Sequence, residues 1–382
     1  MTSDWTTLPG VATGLATWLL TGLASVMPVA IAGWMTSPEV IAFLAAVILG
    51  AVLLAASMLN TILLIWWERK LLGRFMDRRG AMHVGFAGLL QNFADGLKLF
   101  RKHTMKPRDA DSLGFYAGPT AYLITSIIIF AVLPISSGWN IGYLPLTLLL
   151  ALVIFSFAPL FIFISAWSSN NKYSLMGGMR SAAQMIAYEV PIILAVVAVV
   201  VVAGSFDLNT IVYEQKDYWF WGPLFLAMFV FVAAMIAEME RIPFDLPEAE
   251  AELVEGWNTE YGGMLFAFFM LSDYLRALIG SILVVILFLG GWTLPSWVPA
   301  QFTSFPLAGI LIFMAKVYIV FGVFIWVRAA LPRVRTDQLL RVGWMRMIPL
   351  ALVSVALAVV IVAVHCLPVF GCVPTIPAIL GG

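Results

Sequence analysis

The chain has 382 residues, 62% of them hydrophobic and only 11% charged, with 21 basic residues balanced by 21 acidic ones. Soluble domains carry about 25% charged residues, so this composition excludes an ordinary soluble enzyme and points to a protein that folds in lipid. The 2 cysteines, Cys366 and Cys372, and the 3 histidines form no CxxC pair and no i,i+4 histidine pair. The chain alone therefore offers no zinc, haem or iron–sulfur ligand set. No nucleotide-binding glycine loop follows a strand, and nothing suggests nucleic acid.

Apolar runs near the length of a bilayer-spanning helix fall at 11–33, 40–66, 116–134, 143–166, 185–203, 219–237, 262–289, 306–328 and 347–366. They predict an all-α polytopic membrane protein. Its membrane domain, 40–366, has eight core transmembrane helices, and the N-terminal extension 1–39 holds one extra hydrophobic segment. A short non-cytoplasmic tail, 367–382, follows. The alternating segments of a membrane β-barrel are absent. The N-terminus has no basic region of the kind that opens a cleaved signal peptide, and no inverted repeat of the transporter kind is visible.

Orientation follows from the bases. Loops 67–115, 167–184, 238–261 and 329–346, with the span ends beside them, hold eighteen of the 21 lysines and arginines. The positive-inside rule puts those loops in the cytoplasm, and the expected location is the cell (inner) membrane, as a multi-pass protein. In the first loop, Phe86, Leu89, Leu90, Phe93, Leu97 and Phe100 recur at helical spacing, with Asp95, Lys98, Arg101 and Lys102 mostly off that face. This predicts an amphipathic helix that lies in the membrane interface or packs on neighbouring spans.

The stretch 238–261 carries eight of the 21 acids against one base, Arg241. Within it, Asp245-Leu246-Pro247-Glu248 has the form of a helix start, with Asp245 as cap and acids in the first turn. A short helix is expected there. Inside the apolar runs stand Glu189, Asp273, Arg276 and Lys316. A charge at the centre of a span costs about 2.5–3.5 kcal/mol on insertion scales, so each must face protein, water or another charge. Asp273 and Arg276, three residues apart, can pair within one helix. Glu189 and Lys316 have no sequence-local partner and are read as members of an ionisable path.

Five blocks of sequence go further. They are WERKLLGRF at 67–75, GLLQNFADGLKLF at 88–100, AWSSNNKYSLMGGMRSAAQMIAYE at 166–189, ERIPFDLPEAEAELVEGWNTEYGG at 240–263 and WVRAALPRVRTDQLLRVGW at 326–344. In this order they resemble the membrane heel subunit of respiratory complex I, the family of H-type (or number 1) subunits of proton-pumping NADH-quinone oxidoreductases. The resemblance implies a non-redox subunit with eight core helices, no cofactor of its own and no catalytic residue, for which quinone is the substrate of the whole complex. Its partners would be the hydrophilic-arm iron–sulfur and quinone-site subunits, small membrane subunits, antiporter-like subunits and the lipid bilayer. By the same resemblance Glu68, Arg69, Asp95, Lys98 and Arg241 belong to a quinone chamber and its junction. Glu189, Glu238, Glu248, Glu250, Glu252, Glu260 and Asp273 match acids of a proton path, and Lys316 and Arg328 match family bases.

The pattern is not kept throughout. Residues 79–85 read RGAMHVG where the family has RxGPNRVG, and Asp273 stands where a glutamate is usual. The membrane anchor of an ion-translocating hydrogenase is the alternative, but its related loop is shortened, whereas FDLPEAEAELVEGWNTEY is uninterrupted here. A stand-alone secondary transporter fits least.

Overall fold

The computed structural model describes residues 12–17, 37–136, 146–216, 218–247, 250–294 and 308–365, and among these it is helical throughout, without a strand. The extra segment at 11–33 lies mostly outside the described residues, as do Glu248 and the tail 367–382.

Helix α1, Pro38–Phe75, runs for 38 residues, about 57 Å at 1.5 Å per residue, against a hydrocarbon core of about 30 Å. It therefore continues past its apolar run and carries Glu68 and Arg69 on its protruding end. Glu, Arg, Lys and Leu are good helix formers, so nothing in WERKLLGRF stops it. Helix α2, Gln91–Arg101, is the amphipathic helix expected in the first loop, and its Phe93, Leu97 and Phe100 are exposed. Asn92 pins it to α1 by donating to the Ile62 carbonyl at 2.8 Å.

Helix α3 is Ser112–Val132, capped by Asp111. The next span is broken in two, α4 Thr147–Phe155 and α5 Ala158–Ser168. Pro159 lies just inside α5 and lacks the N–H that would bond the Phe155 carbonyl, which accounts for the interruption at Ser156–Phe157. Helix α6, Lys172–Ala203, has 32 residues and is capped by Asn171. Residues 172–184, expected as loop, are thus an extra helical length on the charged face. The short α7, Leu208–Glu214, leads to α8, Phe225–Glu238, of 14 residues. The apolar run predicted from 219 starts its helix only at Phe225, after turns.

In the acidic stretch, α9 covers Glu250–Leu253. This is the expected short helix as far as the described residues show it, its expected start at Glu248 lying outside them, and the Asp245 carboxylate pairs with Arg333 at 3.0 Å. Helix α10 is Gly263–Phe288, and α11 is Ala308–Ala330. Helix α12, Thr336–Val342, passes through a π-turn at Gly343–Met347 into α13, Ile348–His365. Among the described residues, seven helices are long and apolar enough to cross a membrane, and α8 is a shorter apolar one. The protein is a polytopic helical membrane protein.

Burial sorts these helices. In α10 every residue from Tyr274 to Phe288 is buried, whereas α1 and α13 expose Phe43, Leu59, Leu352 and Val360. A helix that is apolar all round either fills a core or faces lipid; α10 does the first and the outer helices the second. The core packs α6 against α8 and α13, and α3 against α5 and α10. Charges on α10 therefore sit at the centre of the bundle.

Candidate functional site

The charged groups gather where α1, α8, α10 and α11 meet the acidic stretch. Glu68, 3% exposed, is bracketed by two guanidinium groups, Arg241 at 3.1 Å and Arg328. Burial works against the Arg241 charge, but the Glu68 carboxylate beside it prevails and holds its pKa above the ordinary arginine value. The Arg241 guanidinium also lies 4.5 Å from the centre of the Tyr274 ring, an attractive cation–π arrangement. Two arginines on one carboxylate leave a local excess of one positive charge.

A cavity of about 140 Å³ opens beside this cluster, lined by Glu240, Arg241, Asp245, Asp273, Tyr274 and Arg328 among others. It is roomy enough for several waters, which each take about 30 Å³ in the liquid. Ser181 donates to Glu240, and Tyr122 donates to Asp273 across 2.9 Å. One helical turn deeper, Arg276 pairs with Glu238 at 3.1 Å, and both side chains are fully buried. The Asp273–Arg276 ion pair that the spacing permits does not form among the described residues: α10 turns Arg276 toward α8 and the broken span, while Asp273 faces the cavity and Tyr122. Arg276 also donates to the Phe155 carbonyl at 3.2 Å and lies 3.8 Å from the centre of the Phe155 ring. Glu189 accepts from Ser156 and is near enough to act electrostatically on Glu238. Glu238 Oε2 has no hydrogen-bond partner among the described residues. The result is a chain of interacting groups, Glu68–Arg241–Asp273–Arg276–Glu238–Glu189, from the charged face into the bundle.

The rest of the acidic stretch is docked onto α6 and α5. Glu252 pairs with Arg180 at 2.7 Å, and Asn171 donates to Glu260 at 2.6 Å. Ser174 donates to the Trp257 carbonyl, and Tyr261 to the Ser165 carbonyl at 2.9 Å. Burial pushes the Tyr261 phenol up to about 12. Gly177 makes this approach possible, since a Cβ there would come within 2.5 Å of the Trp257 backbone nitrogen. Arg69 and Asp95, 2.8 Å apart, join α1 to α2.

A match to the model of the NADH dehydrogenase family covers residues 47–359. Proteins named as the H subunit of NADH-quinone oxidoreductase are similar over most of their length. The one from Rhodospirillum rubrum is 42% identical over 295 residues, 77% of this chain and 87% of its own. That from Geobacillus kaustophilus is 41% identical over 319 residues, 82% and 93%, and that from Paramagnetospirillum magneticum 41% over 292, 76% and 84%.

The chain belongs to the family of H-type subunits of NADH-quinone oxidoreductases.

The hydrogenase-anchor alternative is not favoured by these relatives. Of the residues that the family resemblance singled out, the structure brings together Glu68, Arg241, Asp273, Glu238 and Glu189. It places Arg69, Asp95, Glu252 and Glu260 in pairs that hold the charged-face segments, and leaves Lys98 exposed on α2. Glu250 begins α9. Lys316 does not join the cluster. It stands near the other end of α10 and donates to the carbonyls of Leu289, Gly291 and Thr293 at 2.7, 2.9 and 2.7 Å, with the Trp219 ring centre 4.3 Å away. Sequence reasoning missed Tyr122, Ser156 and Ser181, and missed the role of Arg276. The one available signal was Pro159, which frees the carbonyl that Arg276 takes.

Proposed function

We propose that this chain forms part of the quinone chamber of a complex I-type NADH-quinone oxidoreductase and holds the first groups of its proton-coupling path. Family membership makes it the H-type membrane subunit of such an enzyme. The observation that carries the finer reading is the run of charges from Glu68 at the charged face, past the polar cavity, to the buried Arg276–Glu238 pair and Glu189. Such groups are close enough to titrate as a set rather than singly.

Electrons would reach quinone from cofactors held by the hydrophilic-arm subunits, which dock on the charged, cytoplasmic face, while this chain itself binds none. A negative charge appearing near Arg241 and Arg328 competes with Glu68 for them, and the shift in field is felt at Asp273 and then at the Arg276–Glu238 pair. The small membrane and antiporter-like subunits would receive the response along the flank of the bundle. Lys316, with all three ammonium protons committed to carbonyls, is assigned to fastening the far end of α10.

The test is Asp273→Asn in the assembled enzyme reconstituted in vesicles. Proton translocation should fall several-fold while the complex still accumulates. Unchanged quinone reduction together with unchanged translocation would sink the reading.

A further inference from the structure

The broken span holds one hydroxyl that faces two acceptors. Ser156 Oγ lies 3.0 Å from the Leu152 carbonyl oxygen and also within hydrogen-bond reach of Glu189 Oε1. A serine has one proton to donate and can accept; a carboxylate can only accept, while a carboxylic acid also donates one proton. With Glu189 ionised the one serine proton is shared between two acceptors or given to one of them; with Glu189 protonated each contact has a proton of its own.

We propose that Ser156 is the amphoteric partner that lets Glu189 change charge without losing its hydrogen bond, an inference that rests on the path reading above. With Glu189 ionised, the Ser156 O–H donates to Oε1 and the Leu152 carbonyl keeps its backbone bond from Ser156 N, 3.0 Å away. When a proton reaches Oε1, the new O–H donates to Ser156 Oγ, and the serine, keeping its own proton, turns to the Leu152 carbonyl. No heavy-atom bond forms or breaks, and the one proton gained by Glu189 is the one delivered along the path. A turn of one hydroxyl suffices.

The location gives the switch its reach. Ser156 is the residue after Phe155, where the helix stops and the carbonyl freed by Pro159 is taken by Arg276 at 3.2 Å. The charged groups acting on Glu189 and its neighbours are thus Glu238 on α8 and Arg276 on α10. The serine stands between the charge state of Glu189 and the joint that positions Arg276. It is a positioning residue and touches no substrate.

The experiment compares Ser156→Ala, Ser156→Thr and Glu189→Gln in the full enzyme in vesicles, measuring proton translocation per assembled complex. A hydrogen bond to a charged group is lost in Ser156→Ala, and translocation should fall about tenfold. Ser156→Thr keeps the hydroxyl and should stay within about twofold of the parent. Where Ser156→Ala does not accumulate, Ser156→Cys, close in size but a weak donor, should show the same loss. Two results overturn the proposal: a Ser156→Ala enzyme equal to the parent, or a Ser156→Thr enzyme as impaired as Ser156→Ala, which would make packing the cause. Glu189→Gln separates the two ideas. Its loss beside an unaffected Ser156→Ala removes the serine alone, while an unaffected Glu189→Gln removes the path reading on which it rests.

Discussion

The two ends of α10 treat charge in opposite ways. At the end near the acidic stretch, Arg276 meets Glu238 with one carboxylate oxygen left unpartnered, and Asp273 faces a cavity. Past the far end, Lys316 is saturated by three carbonyl oxygens of 289–293. An ammonium group has three donors, and all three are used by groups that cannot titrate. Near the other end, Asp273 accepts from the Tyr122 hydroxyl and Glu238 from the Arg276 guanidinium. Both arrangements solve the problem of a charge among apolar helices. The first leaves a carboxylate oxygen without a partner among the described residues, and the second leaves no ammonium donor unused.

The largest effect expected from breaking this contrast comes from Arg276→Met. Removing one partner of a buried ion pair leaves Glu238 uncompensated, at a cost of about 3–5 kcal/mol. The subunit should fail to accumulate in the membrane, and Arg276→Met combined with Glu238→Met should recover accumulation without recovering proton translocation. Immunoblots of membranes and a vesicle assay decide both. Next comes Gly177→Ala, which sets a Cβ against the Trp257 backbone. Overpacking of this kind costs about 1–3 kcal/mol, and limited proteolysis of the acidic stretch should speed up.

Lys316→Met removes the donor that three carbonyls share and should cost about 1–3 kcal/mol, seen as a lower melting temperature of the purified complex. The smallest effect belongs to Arg180→Gln, which opens the half-exposed pair with Glu252. Such pairs are worth about 1 kcal/mol or less, so melting should shift by a degree or two and added salt should erase the difference.

The same contrast shows what the residue order reveals. Hydropathy alone places the spans, because lipid imposes length and composition on each segment separately. It misses the charged extensions of α1 and α6, since a helix leaving the bilayer no longer needs apolar residues and the sequence there simply does not stop it. Individual buried charges were visible as misfits, but their partners were not. Glu68 meets Arg241 and Arg328 at separations of 173 and 260 residues, which no local period encodes. Local spacing is not decisive at Asp273 and Arg276: three residues apart permits a pair, yet α8 and the end of α4 offer Arg276 a better set of acceptors. Asp245 has the chemistry of a cap, and its pairing with Arg333, 88 residues away, is equally invisible to local spacing. The blocks shared with the family carried the rest.

The claim that only the charged-face end of α10 takes part in coupling is tested most directly by the ratio of protons translocated to quinone reduced. It should be measured in vesicles for the Glu238→Gln and Lys316→Met enzymes side by side. The account predicts a ratio reduced several-fold in Glu238→Gln and a parental ratio in Lys316→Met despite its lower stability. A parental ratio in Glu238→Gln, or an equal fall in both, would contradict it.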